Sequence, residues 1–440
     1  MRTEPSGLGR HIKIVESTRP VRHNGKVTKV VGLVMEGYAP GASVGEFCTV
    51  YPKESGLPIQ CEVVGFSDEK ILLMPLGEVR GVGPGSMIHV TGASASVAVG
   101  PGLLGRTIDG LGSPIDGLGQ VVAKKEYPLH CTPPGPLGRK RIDKPLNVGI
   151  RSINSMLTVG KGQRIGIFAG SGVGKSVLLG MMARNTEAQV NVIALVGERG
   201  REVKEFIERD LGEEGLRRSV IIVATSDQPP VIRMRAPLLA TAIAEYFRDE
   251  GKDVLLMMDS ITRYAMAQRE IGLAIGEPPA TKGYPPSVFA HLPKLLERAG
   301  TSDGKGTITG FYTILAEGDD VNDPVADAAR SILDGHIVLT RDLATQGHFP
   351  AIDVLQSISR VMNDIVGAEH RQFAQKARAV LATYKKAYDL ISIGAYKAGS
   401  DPKIDHAIKV IDRVNEFLRQ DVTERAGYDD SLQALFTLGA

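Results

Sequence analysis

The stretch FAGSGVGKSVLL, residues 168–179, is the one whose reading decides the fold. An apolar run at 165–168 leads into it and reads as a short buried strand, and the residues after it read as a helix. A glycine-rich turn in that setting is a phosphate-binding loop. Phosphate oxygens call for several converging N–H donors, and glycine lets backbone approach them from the conformations required. The cradle expected here runs through Gly170, Ser171, Gly172, Val173, Gly174, Lys175, Ser176 and Val177. Lys175 is placed to reach the β- and γ-phosphates of a nucleotide, and the Ser176 hydroxyl to meet Mg²⁺. The usual pattern G-x-x-x-x-G-K-[ST] is broken at its first position by Ala169, which a turn of negative φ accommodates. The alternative is a glycine-rich turn carrying a solvated lysine.

Outward from the loop, apolar runs at 192–196, 220–224, 254–258 and 308–315 alternate with helical segments. Continuous apolar strands separated by helices predict a parallel sheet covered on both faces. The run at 254–258 ends in Asp259. A hard cation bridging phosphates needs an anionic oxygen nearby, directly or through water, and a strand end beside the loop supplies one. A second strand ends in VGERGRE, 196–202. Glu198 would then lie at the sheet's C-terminal edge, where ligands of such sheets bind, and could polarise a water that attacks a γ-phosphate. In isolation, this charged run reads more readily as a surface salt-bridge cluster.

The flanks differ from this centre. Between Gly25 and Gly92, short β-rich runs separated by Gly, Pro and Ser-Asp predict a small antiparallel barrel. A Gly/Pro-rich passage from Gly100 to Pro136 reads as a connector. Near the C-terminus Phe373, Ala377, Val380, Tyr384, Tyr388 and Ile391 recur at helical spacing. Gly399 is expected to end that helix, and Asp401 with Pro402 to start the next. In a chain of 440 residues, 42% apolar and 23% charged, two or three domains are expected. Lys and Arg (52) nearly cancel Asp and Glu (50), so no global field draws the chain to nucleic acid or an anionic membrane. No stretch has the apolar length of a signal peptide or a membrane span. Cys48, Cys61 and Cys131 lack metal-ligand spacing and read as buried thiols of a reducing compartment. A cytoplasmic protein is expected.

GERGREVKEFIE (197–208) together with MDSITRYAMAQREIGLAIGEPPATKGYPPSVFAHLPKLLERAG (258–300) resembles the type III secretion ATPases, relatives of the catalytic beta subunit of rotary ATP synthases. The likeness runs from about Gly25 to the C-terminus, and MAQREIGLAIGEPPATKGYPPSVF is closer to the flagellar than to the injectisome branch. It implies an α/β multidomain fold. An N-terminal extension (1–24) and a β-barrel (25–92) would precede a RecA-like ATPase domain (93–365, with 93–144 as connector), and a helical domain (366–440) would follow. It implies that Glu198 is catalytic, since noncatalytic alpha subunits carry glutamine there. Arg199 and Glu202 would support the γ-phosphate and the metal's water shell, and Arg263 would contact phosphate. In GHFPAID (347–353), Phe349 would stack on adenine, the alternative being an ordinary core phenylalanine. In QSISR (356–360), Arg360 would be an arginine finger inserted into a neighbouring subunit's site. The cofactors implied are ATP and Mg²⁺.

The resemblance further implies a homohexamer in the cytoplasm, held peripherally on the inner membrane at the flagellar base. Its partners would be a central stalk protein, a peripheral regulator, an export gate at the membrane, and export chaperones with their substrates. An injectisome ATPase or a rotary ATP synthase or pump subunit shares the chemistry. A nucleic-acid translocase would need a basic, aromatic-bearing barrel. The barrel region offers only Tyr38, Phe47, Tyr51 and Phe66, so no nucleic-acid partner is expected.

Overall fold

The computed structural model describes residues 24–53, 56–91, 95–123, 125–315 and 323–438. The expected N-terminal extension lies, but for Asn24, outside them. The chain divides into two compact units, Met1–Ala95 with Ala274–Gly276, and Ser96–Leu273 with Glu277–Ala440.

In the first unit six strands form a closed barrel: β1 (Asn24–Val31), β2 (Val34–Tyr38), β3 (Phe47–Tyr51), β4 (Ile59–Ser67), β5 (Lys70–Pro75) and β6 (Met87–Val90). Their order is β1-β2-β5-β4-β3-β6, each neighbour antiparallel. Alternate residues of a strand face opposite sides, and Val27, Met35, Cys48, Val50, Cys61, Val63, Ile71, Leu73 and Ile88 fill the interior. Cys48 and Cys61 stand directly opposite each other on β3 and β4, both buried, whereas Cys131 is exposed. The expectation of three buried thiols therefore fails at Cys131.

The second unit opens with β7 (Ser96–Val99), which pairs antiparallel with β9 (Lys125–Pro128). Between them β8 (Thr107–Asp109) pairs in parallel with β12 (Ser219–Ala224). The passage read as a connector thus supplies an edge strand of the central sheet. Its three residues are too few for an apolar run, and the pairing is long-range. The sheet is completed by β10 (Arg164–Ala169), β11 (Val190–Val196), β13 (Asp253–Asp259), β14 (Gly300–Thr301), β15 (Thr307–Leu315), β16 (Gly335–Leu339) and β17 (Ile358–Ser359). The order is β17-β16-β10-β15-β13-β11-β12-β8, with β14 on β15. All pairs are parallel except those made by β14 and β17. Ile165, Ile167, Ile193, Leu195, Leu255, Met257 and Phe311 pack on one face. The intervening Val192, Ala194, Leu256, Met258 and Tyr312 are equally buried on the other. Burial on both faces is why these strands lack polar alternation.

Helices Ala368–Ser392, Pro402–Leu418 and Tyr428–Phe436 close the chain. Ala374, Ala377, Val380, Val410, Val414 and Phe417 join the core of the first sheet face. Asp401 caps the second helix, its carboxylate accepting from Lys403 N at 2.8 Å, with Pro402 in the first turn. The first helix ends at Ser392, just before left-handed Gly394 (φ 70), rather than at Gly399. Gly399 instead lies in the turn between the helices, where its N–H donates to the Asp405 carboxylate at 3.0 Å.

Candidate active site

β10 ends at Ala169, which takes ordinary extended backbone, so the missing glycine costs nothing there. Gly172 (φ 78) and Gly174 (φ 88) carry the left-handed turns, conformations that a side chain would oppose. Helix Lys175–Asn185 begins directly after Gly174, so its free first-turn N–H groups face the loop and favour an anion. Val173 is buried and Val177 half-buried, both packed on the core. They can offer a ligand only backbone. Ser171 and Ser176 are exposed.

The loop borders an open cleft of about 620 Å³ at the C-terminal edge of the sheet, lined also by Glu198, Arg199, Glu202 and Arg263. Asp259, the last residue of β13, is 3% exposed and lies against Lys175, which lines the cleft. It accepts from Thr313 Oγ1 at 2.7 Å and is ion-paired with Lys175 Nζ. The same ammonium stands 3.3 Å from Glu198 Oε1. Burial alone would lower the lysine's pKa, but Asp259 and Glu198 hold it above its ordinary value. Glu198 follows β11 through left-handed Gly197 (φ 70). Burial first, then the Asp259 charge, pushes its carboxyl up to about 7 against the pull of Lys175. The hydrogen bond it shares with Glu202 raises Glu198 further and lowers Glu202. The run 196–202 is in part the surface salt-bridge cluster it reads as, with Arg199 and Arg201 exposed, but its Glu198 is half-buried beside Lys175 and the buried Asp259, facing the loop.

Arg263 lies across Gly197, so closely that a Cβ on Gly197 would come within 2.8 Å of its Cγ. Among the described residues its buried Nε has no hydrogen-bond partner and its guanidinium at the cleft wall pairs with no carboxylate. Arg199 is 81% exposed at the rim, held loosely to Glu202 at 3.6 Å. Phe349 is 44% exposed, so the core alternative is excluded. Its ring would lie 3.7 Å from a Cβ on Gly174, which puts an open aromatic face beside the loop. Arg360 is exposed but lies elsewhere. It follows β17, whose Ser359 pairs with Gly335 at the start of β16, the end of the sheet opposite the loop.

The cleft also includes Arg341, which sequence reading passed over. It begins a helix capped by Thr340, just past β16, whose Leu339 pairs with Ala169. The signal was available as IVL followed by a Thr cap, but the run is too short to stand out as a strand.

Residues 149–359 match the ATP synthase alpha/beta family, nucleotide-binding domain, and residues 366–437 the T3SS EscN ATPase C-terminal domain. The chain is 56% identical to a flagellum-specific ATP synthase of Bacillus subtilis, over 97% of this chain and 98% of that one. Among solved structures it is similar to the assembled ATPase EscN of the enteropathogenic E. coli type III secretion system. The identity is 47% and the TM-score 0.89, over 94% of this chain and all of that one. EscN in complex with its central stalk EscO matches at 46% and 0.87, with the same coverage.

Proposed function

The chain belongs to the ATP synthase alpha/beta family, in its branch of flagellar and type III secretion ATPases, and from that premise we propose that its cleft hydrolyses Mg-ATP by in-line attack of water. The energy would drive or gate export of unfolded proteins through the flagellar type III apparatus. The observation that carries this reading is the Lys175–Glu198–Asp259 set at the mouth of the loop. With phosphates in the loop, Lys175 would exchange its carboxylate partners for phosphoryl oxygens, leaving Glu198 to take a proton from water. Arg263, with no carboxylate partner among the described residues, and the exposed Arg199 would contact the γ-phosphate. Phe349 would stack on adenine, presenting a π face to the base.

Ser176 and Glu202 line the cleft and Asp259 is ion-paired with Lys175 beside it, so all three offer hard oxygen donors to the site. Among the described residues no three His, Cys, Asp or Glu side chains cluster so as to hold a metal by themselves. That donor set fits a Mg²⁺ ion that arrives with the phosphates rather than one held in a protein cage. When bound, such an ion would be held by these oxygens and would offset charge developing on the phosphates.

Arg360, at the sheet's far end, fits a finger that serves a neighbouring copy, in a homohexameric ring. A central stalk, a peripheral regulator, a membrane export gate and chaperone–substrate complexes would be its partners, and nucleic acid would not. EscN, assembled and with its stalk EscO, supports the first two points. Higher identity to the flagellar relative (56%) than to EscN (47%) favours the flagellar machine. Among the described residues no helix is long and apolar enough to cross a membrane; a peripheral, cytoplasmic position at the flagellar base belongs to the same proposal and rests on the flagellar relatives. Glu198→Gln tests the chemistry: it should bind Mg-ATP with nearly unchanged affinity and fail to turn it over. Full turnover would remove Glu198 from the mechanism. Copurification of the native complex with needle-complex or ATP synthase subunits, instead of flagellar export components, would overturn the choice of machine.

A further inference from the structure

Arg360 follows a two-residue edge strand, and such a strand alone orders its next residue poorly. Among the described residues its guanidinium makes one polar contact, from Nη2 to Arg330 O at 3.3 Å. Its backbone is held better: Arg360 N donates to Asp334 O at 3.0 Å. The same carbonyl accepts from Gln163 Nε2 at 3.0 Å, and the other Gln163 amide hydrogen goes to Ser359 Oγ at 3.1 Å. Gln163 Oε1 accepts from Gly160 N at 2.9 Å, and Ser359 Oγ donates to Thr158 O at 2.8 Å. One wholly buried side chain thus uses both donors and its acceptor to tie the strand before Arg360 to the residue behind it. Beside it Arg164 grips the Asp334 carboxylate through Nε at 3.0 Å and Nη2 at 3.1 Å; Arg164 N also donates to that carboxylate at 3.0 Å, and Asp334 N donates to Arg164 O at 2.8 Å.

We propose that Gln163 is a positioning residue for Arg360, setting where the finger enters the neighbouring subunit's cleft. This rests on the trans role proposed for Arg360. Gln163 and Arg164 stand at the start of β10, while the chain's own phosphate loop begins at its far end, so a change at Gln163 acts on the neighbour's site and spares its own. A guanidinium meant to meet a phosphoryl group across an interface must arrive ordered, because a displacement of about 1 Å can cost roughly 100-fold in rate.

The test uses full-length chains in assembled rings. Gln163→Leu keeps bulk and removes the three bonds. It should lower kcat about 10- to 100-fold with KM for ATP nearly unchanged. Ser359→Ala should show a smaller loss of the same kind, and Ser359→Thr, which keeps the hydroxyl, should restore the rate. Mixing then locates the defect. Gln163→Leu chains mixed with Glu198→Gln chains should regain activity, since some interfaces pair an intact finger with an intact Glu198. Mixed with Arg360→Ala chains they should regain none, since both lesions lie on the finger side. Recovery with Arg360→Ala, or unchanged kcat in both Gln163→Leu and Ser359→Ala, would overturn the positioning role. If Arg360→Ala and Glu198→Gln chains themselves fail to complement each other, the trans finger falls and this inference falls with it. Should Gln163→Leu not fold, Ser359→Ala carries the same mixing test.

Discussion

Lys175 is held between two carboxylates, and the consequence is a pH dependence. Glu198 must be ionised to accept a proton, and burial with the Asp259 charge raises its carboxyl to about 7. In the free enzyme kcat/KM should therefore fall about tenfold per pH unit below 7 and level off above it. Glu202→Gln removes the hydrogen-bonded partner that raises Glu198, so it should shift this limb to lower pH. A limb at the ordinary glutamate value would deny Glu198 the role of base. The same shift bears on folding. The raised value favours the folded chain with Glu198 protonated, a contribution complete below the unfolded value and lost as pH rises through about 7. Phe349 yields a second prediction at this scale. Its exposed ring should contribute binding that is equal in ground and transition states, so Phe349→Ala should raise KM for ATP well before it lowers kcat. An unchanged KM would leave the ring no contact with the base.

Among the elements, the C-terminal helix Pro402–Leu418 shows how local chemistry and packing divide the work. Asp401 satisfies a first-turn N–H that no intrahelical carbonyl can reach. The helix's inner face adds Val410, Val414 and Phe417 to the core of the sheet. Asp401→Ala should cost about 1 kcal/mol and lower the unfolding midpoint by about 2 °C, measured by thermal melting. The half-buried cap lies outside the apolar core, so its loss leaves packing intact and activity should persist. A midpoint unchanged by the substitution would mean that the core alone sets this helix boundary. β17 shows the opposite balance. A Cβ on Gly335 would lie 2.4 Å from Ile358 O, so the strand that leads to Arg360 docks only because its partner residue lacks a side chain.

For the whole molecule, the loop and Arg360 lie at opposite ends of β10, and one chain cannot bring them together. If the finger works in trans, specific activity should rise steeply with protein concentration as rings assemble. Arginine fingers are worth roughly 10³-fold or more in related phosphoryl transfers, so the dilute, monomeric protein should be nearly inactive. Equal activity per chain in dilute and concentrated samples would place every catalytic group within one protomer.

The phosphate loop, the five apolar strands and Asp259 at the end of one of them were legible in the sequence, because each is a local pattern. A loop needs its own glycines, and a strand buried on both faces must be apolar throughout. The barrel's short strands and the Asp401 cap were legible for the same reason. Glu198 could be proposed from its place at a strand end, but its catalytic role, and Arg199, Glu202, Arg263, Phe349 and Arg360 altogether, came by resemblance, since nothing in their immediate neighbours separates them from surface charge or core. Only the tertiary structure brought Lys175 between Glu198 and Asp259, exposed Phe349 beside Gly174, and carried Arg360 away from its own cleft. It also turned part of the connector into β8 and revealed Arg341 and Gln163. The physical reason is one and the same. These roles depend on distances between residues far apart in the chain, and those distances are set by the order in which strands pair in the sheet.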